Sequence, residues 1–420
     1  MKQQDFVPLQ EVVETITVGF VGSMASEYQE EGIPFLRSLN VKPFQFSETD
    51  LKFITPEFHD RIRKSSLAPG DVVAVRTGNP GASCVIPDSL TEANCSDLVV
   101  IRCNEDSDPH FVSYYINSIT QSISSQSVGA IQKHFNIGSA KEIKFPKLSH
   151  EDQFKSSTVL RLLDQKIELN NRINAELESL AKLLYDYWFV QFDFPMTAEQ
   201  AAAHGDPTLT GKPYKSSGGK MTHNKTLNRE IPEGWVNTKL SKIAEIVMGQ
   251  SPPGSTYNSE GKGTLFFQGS TDFGDRFPTA RQFTTQPTRL ARTGDILLSV
   301  RAPVGTINIA PFDCAIGRGL AAIRSNSKHS TYLFQVMRYF QIIFERRNAA
   351  GTTFGSINKD DLHSLQFSHP TDNSLSQKFH EKMKPLEQQV FNNHKQNQEL
   401  AALRDWLLPM LMNGQVTVNS

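Results

Sequence analysis

Residues 163–177 read LDQKIELNNRINAEL, and 223 positions later residues 386–400 read LEQQVFNNHKQNQEL. Leu163, Ile167, Asn170, Asn174, Leu177, Ala181 and Leu184 recur at alternating spacings of four and three, and so do Leu386, Val390, Asn393, Asn397, Leu400, Arg404 and Leu407. That spacing is a coiled-coil seam. Each strand of it carries two asparagine layers, at Asn170 and Asn174 and at Asn393 and Asn397. A seam asparagine costs stability but fixes register, because a facing asparagine satisfies its amide. Two such helices with matching polar layers in one chain are each other's natural partner. An intramolecular antiparallel coiled coil is therefore expected, relating two halves by a pseudo-two-fold axis. The competing arrangement lays each helix on its own domain.

The repetition extends upstream of the helices. PGDVVAVRTGNPG (69–81) parallels TGDILLSVRAPVG (293–305), GIPFLRSLNV (32–41) faintly parallels GTLFFQGSTDF (263–273), and SVGAIQKHFNIGSAKEIKF (127–145) parallels AAGTTFGSINKDDLHSLQF (349–367). Three stations in the same order, plus the helix, establish a duplication whose period is too long for a solenoid. Short β-type runs bounded by Gly, Pro and Asn give each unit a mixed α/β (α+β) globular part followed by a long helix. The expected divisions are a first globular domain over 1–148, a helix over 149–192, a linker over 193–230, a second globular domain over 231–371, a helix over 372–413 and a tail over 414–420. The linker assignment rests on the Gly, Ser and Pro content of residues 196–221.

Composition excludes several classes. No apolar run approaches the ~20 residues of a membrane span, and the first residues carry no apolar secretory segment. The four cysteines, Cys84, Cys95, Cys103 and Cys314, have neither metal-site nor disulfide spacing, which suits a reduced, cytoplasmic protein. Lys and Arg total 43 against 44 Asp and Glu, a balance that favours nucleic acid only if positive charge is concentrated on one face. Catalytic patterns are missing too. GDPTLTGKP (205–213) has the wrong glycine spacing for a phosphate loop and Pro213 where a magnesium-binding hydroxyl belongs, and no methyltransferase, hydrolase or nuclease constellation stands out. Asp71 and Asp295 recur after glycine and read as turn residues.

What recurs suits contact with nucleic acid. In the first half the stations hold Arg37, Ser38 and Asn40; Arg76, Thr77 and Asn79; and Gln132, Lys133, His134 and Asn136. In the second half they hold Gln268, Ser270 and Thr271; Arg301; and Thr352, Thr353, Ser356, Asn358 and Lys359. Arg, Asn and Gln make bidentate contacts to base edges, and Ser and Thr suit phosphates. Stations that match in place and differ in side chain describe two readers on one scaffold. On a loose alignment Arg301 matches Arg76 as a phosphate contact, while Gln268, Thr353 and Asn358 are the expected base readers.

LLYDYWFVQFDFP (183–195), GKPYKSSGGKM (211–221), IPEGWVNTKLSKIAEIVMGQSPP (231–253) and GTTFGSINKDDL (351–362), with the duplication around them, resemble the DNA specificity subunits of Type I restriction–modification systems over essentially the whole chain. The resemblance implies two target recognition domains joined by two long antiparallel helices, each domain reading one half of a split site in double-stranded DNA. It implies a chain without catalysis or cofactor of its own, serving DNA methylation and antiviral defence. Two modification subunits using S-adenosylmethionine and two restriction subunits using ATP and magnesium would be its partners. Trp188, Phe189, Phe192 and Trp406 are the expected subunit-docking residues. Other functions in view are an orphan methyltransferase's specificity subunit and a coiled-coil scaffold that binds no DNA.

Overall fold

The computed structural model describes residues 5–126, 135–349 and 356–418. The chain forms two compact units, Met1–Arg172 with Asn393–Ser420, and Ile173–Asn392. Both long helices contribute to both units: His150–Tyr185 and Ser374–Met412.

The units share a strand order. In unit 1 the antiparallel sheet runs Val13–Val18, Leu98–Cys103, Val72–Val75, Ser83–Val85. In unit 2 it runs Ala244–Met248, Leu320–Ser325, Ile296–Ser299, Ile307–Ile309. The central VVAV and ILLS strands are buried at every position, so they are uniformly apolar or small rather than alternating. A second sheet pairs Ile33–Leu36 in parallel with Ala93–Cys95, and Ala93–Cys95 antiparallel with Ser66–Leu67. Its counterpart pairs Thr264–Phe267 with Cys314–Ile316, and Cys314–Ile316 with Leu290–Ala291, in the same senses. The duplication read from short strings is thus a duplication of topology.

The Gly-Asp turns show how closely it was kept. Gly70 and Gly294 hold φ of 85° and 84°, left-handed geometry that glycine adopts without strain. Each following aspartate then staples the turn. Asp71 accepts from the Ala68 backbone N–H at 3.0 Å and from Arg102 at 3.3 Å; Asp295 accepts from the Arg292 backbone N–H at 2.7 Å and from Arg324 at 2.6 Å.

The helices run antiparallel within each unit. In unit 1 Asn170 is fully buried and donates to Asn397 Oδ1 and Gln396 Oε1, both at 2.8 Å, while Asn397 donates to Asn171 at 2.7 Å. Asp164 pairs with Arg404 at 2.7 Å, six residues earlier on one helix and seven later on the other. In unit 2 Leu177 and Ala181 face Met383, Leu386 and Val390 across a small crevice. The seam is therefore intramolecular, and the asparagine layer at Asn170 and Asn397 recruits neighbouring amides as well as facing each other.

Two expectations fail here. Residues 193–230 are not a linker. Thr197 caps the helix Ala198–His204 in a reciprocal box with Gln200, and Met221–Asn224 pairs with Arg229–Pro232 in a hairpin. Phe194, Met196, Ala201, Tyr214 and Ile231 enter the unit 2 core, where the Phe194 ring stacks on Tyr214 and Trp235. These anchors outweigh the Gly and Ser content around them. Nor do Trp188, Phe189 and Phe192 present a docking surface. They are 4%, 3% and 1% exposed, packed with Tyr185, Trp235, Tyr332 and Phe379. Burying aromatics of this size in one's own core leaves no face for a partner. Trp406, by contrast, is 64% exposed.

Among the described residues no helix is long and apolar enough to cross a membrane, and no cluster of His, Cys, Asp and Glu could hold a metal ion. Cys84, Cys95 and Cys314 are buried free thiols, and burial pushes each up to about 12.

Candidate nucleic-acid interface

The three stations of unit 2 meet on one face. The Gly319 N–H donates to the Gln268 carbonyl, the Val300 N–H to the Gly319 carbonyl, and the Ile357 N–H to the Val300 carbonyl, at 3.2, 2.9 and 2.9 Å. That chain of backbone bonds brings residues 268, 300–301 and 356–358 together, and Arg301 and Ser356 form an isolated β-bridge beside it. Gln268, Arg301, Ser356 and Lys359 are exposed there. Ser270 and Thr271 continue from Gln268 in a short 3-10 turn, Ser270 half-buried and Thr271 exposed.

Unit 1 builds the corresponding junction with different side chains. The Phe135 N–H donates to the Arg76 carbonyl at 3.0 Å, the bond that Ile357 makes to Val300 in unit 2. Val300 therefore occupies the place of Arg76, and Arg301 that of Thr77, which corrects the sequence match of Arg301 with Arg76. Gln268 and Arg37 are true counterparts, because Phe267 and Leu36 occupy the same register opposite Ile316 and Cys95.

Several expected DNA contacts have internal work. Arg37 pairs with Asp50 at 2.7 Å and donates to its carbonyl. Arg76 forms an ion pair with Asp97. Asn40 is completely buried, accepting from the Arg37 backbone N–H and donating to the Ser47 and Thr49 carbonyls. Asn136 and Asn358 are N-caps of equivalent short helices, accepting from Ser139 and Asp361 backbone N–H groups at 3.0 and 2.9 Å. A capping oxygen is already engaged, so the Asn358 side chain has a structural role as a helix cap. Ser38 is half-buried and Thr77 and Asn79 are exposed. Gln132, Lys133, His134, Thr352 and Thr353 lie outside the described residues.

A residue that sequence reading passed over belongs to this face. Arg318 lies between the strands Cys314–Ile316 and Leu320–Ser325, in the sequence Gly317-Arg318-Gly319. With Gln268, Gln250, Ser251, Tyr257 and Gln282 it lines an open concavity. The signal was visible as an arginine flanked by glycines, the composition of a tight exposed turn.

The sequence profile described as the Type I restriction modification DNA specificity domain matches residues 1–179 and 232–402. The chain belongs to this family. It is a DNA-specificity chain and has no catalytic role of its own. Among curated relatives, a type I restriction enzyme MjaX specificity subunit of Methanocaldococcus jannaschii is 26% identical, covering 98% of this chain and 93% of its own. The MjaIX specificity subunit of the same organism is 27% identical over 66% of this chain and 62% of its own. The crystal structure of a Type I restriction–modification S subunit from M. genitalium aligns with a TM-score of 0.56 at 15% identity, covering 97% of this chain and 96% of the other. That likeness shows a common fold: two target recognition domains with long linking helices.

Proposed function

We propose that this specificity subunit reads a bipartite site in double-stranded DNA, one half-site for each unit. The observation that carries this reading is the meeting of three sequence-distant polar stations on one face of unit 2, at a junction that unit 1 repeats with other side chains. Base-specifying groups should differ between halves while the scaffold is kept. Gln268, Ser270, Thr271, Arg301, Ser356 and Lys359 in unit 2, and Ser38 and Thr77 in unit 1, are the contacts retained.

The same reading gives the chain two modification subunits and, in a complete system, two restriction subunits, with S-adenosylmethionine, ATP and magnesium held by those partners. Support for paired docking comes from an apolar stripe present at both helix ends. Leu180, Leu183 and Tyr187 are 50%, 65% and 36% exposed, and their positions recur at the 223-residue offset as Leu403 and Trp406, 42% and 64% exposed, and Met410. Exposed apolar stripes on ordered helices mark protein interfaces, and a repeated stripe suits two copies of one partner. Work on chromosomal and incoming DNA places the protein in the cytoplasm.

The helices act as a ruler in this account. At ~1.5 Å per residue they are about 54–58 Å long, and one added heptad in each keeps the seam in register while lengthening it by ~10 Å. With ~3.4 Å per base pair, the preferred spacer between half-sites should grow by about three base pairs. An unchanged spacer in the methylation pattern would contradict the ruler.

A further inference from the structure

Unit 2 contains a reading site with an arginine unpaired among the described residues, whereas the arginines of its counterpart in unit 1 are held in ion pairs. In the unit 2 concavity the Gln268 carboxamide lies against Ser251 Oγ, with Nε2 at 3.0 Å and Oε1 at 3.2 Å, and the Tyr257 hydroxyl is 3.5 Å from Oε1. Ser251 Oγ also accepts from the Arg318 backbone N–H at 3.2 Å. One hydroxyl thus ties the glutamine to the arginine loop. The backbone under Gln268 is held equally closely: a Cβ on Gly317 or on Gly319 would come within 2.8 Å of its carbonyl oxygen. The two glycines leave no room for slack, so Gln268 is presented on a fixed platform, and Arg318 stands at the tip of the turn they form.

Charge then distinguishes the units. The concavity's lining of Gln250, Ser251, Tyr257, Gln268, Gln282 and Arg318 contains no carboxylate, and Arg318 is in no ion pair among the described residues. In unit 1 the position of Gln268 is taken by Arg37, paired with Asp50, which also holds Lys52 at 2.6 Å, and the turn equivalent to Gly317–Gly319 is Ser96-Asp97, whose carboxylate pairs with Arg76. One turn carries a free cation and the other an anion already in use. A tethered carboxamide beside an unpaired guanidinium and a phenol fits a base edge next to a phosphate: glutamine offers a donor and an acceptor side by side, as adenine's major-groove edge demands, and the arginine supplies the counter-charge.

We propose that the Gln268–Ser251–Arg318 concavity is where unit 2 grips its half-site, Gln268 specifying one base and Arg318 anchoring the backbone. This rests on the bipartite DNA reading above, and the experiment separates the two. The full-length chain assembled with its modification subunits is presented with a pool of randomised DNA duplexes, and the selected sequences are then titrated at several salt concentrations. Gln268→Ala should relax the preference at one position of a single half-site, with a roughly ten- to hundredfold loss for the preferred base. Arg318→Gln should weaken every sequence alike and lower the salt slope by about one. Asp97→Asn, which frees Arg76 in unit 1, should raise that slope. Thermal melting of each variant reports folding, and Gln268→Glu, which keeps size and adds repulsion, replaces Gln268→Ala should the latter unfold. A wild-type assembly that selects no split sequence overturns the function itself. One that selects a split sequence, while Gln268→Ala leaves every position unchanged or Arg318→Gln leaves the salt slope unchanged, overturns this proposal alone.

Discussion

Both units grip the long helices through an acid at the same helix position, Asp164 in unit 1 and Glu387 at the 223-residue offset in unit 2. The cation that answers it has a different origin in each. In unit 1 it is Arg404 from the second helix, lying over the Phe44 ring at 4.5 Å, while Tyr114 donates to Asp164 from the globular part. In unit 2 it is Arg276 from the globular part, only 8% exposed, bonded to Glu387 at 2.9 Å, within 3.5 Å of Glu178 and 3.8 Å over the Phe334 ring. Burial pulls the Arg276 guanidinium down and pushes the Glu387 carboxyl up, each opposed by the other's charge. The two solutions show what duplication preserves: the helix acid and the arginine-over-phenylalanine chemistry remain, while the residue that supplies the cation drifts. Interior geometry constrains where a charge must sit, not which strand or helix delivers it.

The largest effects should come from breaking those clamps. Arg276→Ala strands the buried Glu387, Glu178 keeping its pair with Arg338 at 3.3 Å, and should cost about 3–5 kcal/mol; Arg404→Ala, which leaves Asp164 its bond from Tyr114, should cost less. Amide exchange resolved by segment checks this, with opening confined to the unit that lost its arginine. Equal loss of protection in both units from either variant would show that the clamps are not separate.

Acid should separate the units next. Burial holds His369 down to about 4, and lowers His329 and His380, all in unit 2; in unit 1 burial does the same to His110, also to about 4. A neutral folded histidine takes up its proton on unfolding, so the unfolded state binds more protons between these values and the ordinary ~6.5. That stabilisation is complete above ~6.5 and is lost as pH falls toward 4. It amounts to at most about 3 kcal/mol for His369. Unit 2, with three such groups against one among the described residues, should open first in an acid titration followed by segment-resolved exchange. Unit 1 opening at the higher pH would contradict the assignment.

The smallest expected effect tests equivalence. Asn136→Ala and Asn358→Ala should each cost about 1 kcal/mol, as lost helix caps do, with sequence preference untouched. A changed preference in Asn358→Ala would restore it as a base reader.

How much of this was legible beforehand follows from the range of the interactions. The seam needs only local periodicity, so Asn170 and Asn397 could be paired from the text, and the Gly-Asp turns likewise announce themselves within a few residues. Arg37 and Arg76 could not be recognised as structural, because their partners Asp50 and Asp97 lie 13 and 21 residues away and sequence does not say which carboxylate a cation will find. Trp188, Phe189 and Phe192 misled for a related reason: a dense aromatic run looks the same whether it meets its own core or a partner. The supposed linker did contain a readable signal, the Thr197–Gln200 capping box, but its Gly and Ser content concealed it. Arg301 was matched one place out of register because arginine was set against arginine; the turns closed by Val75 with Ala82 and by Ser299 with Thr306 are equal in length, and the backbone bonds to Arg76 and Val300 put Val300 opposite Arg76.

The central claim is that one duplicated scaffold carries two independent readers. Its most direct test is to replace residues 231–371 with the corresponding segment of the MjaX relative, assemble the chimaera with the modification subunits, and map the adenines methylated on a randomised DNA library. The account predicts a split motif in which one half changes while the other half and the spacer remain as in the parent. A motif altered in both halves, or a single uninterrupted site, would contradict it.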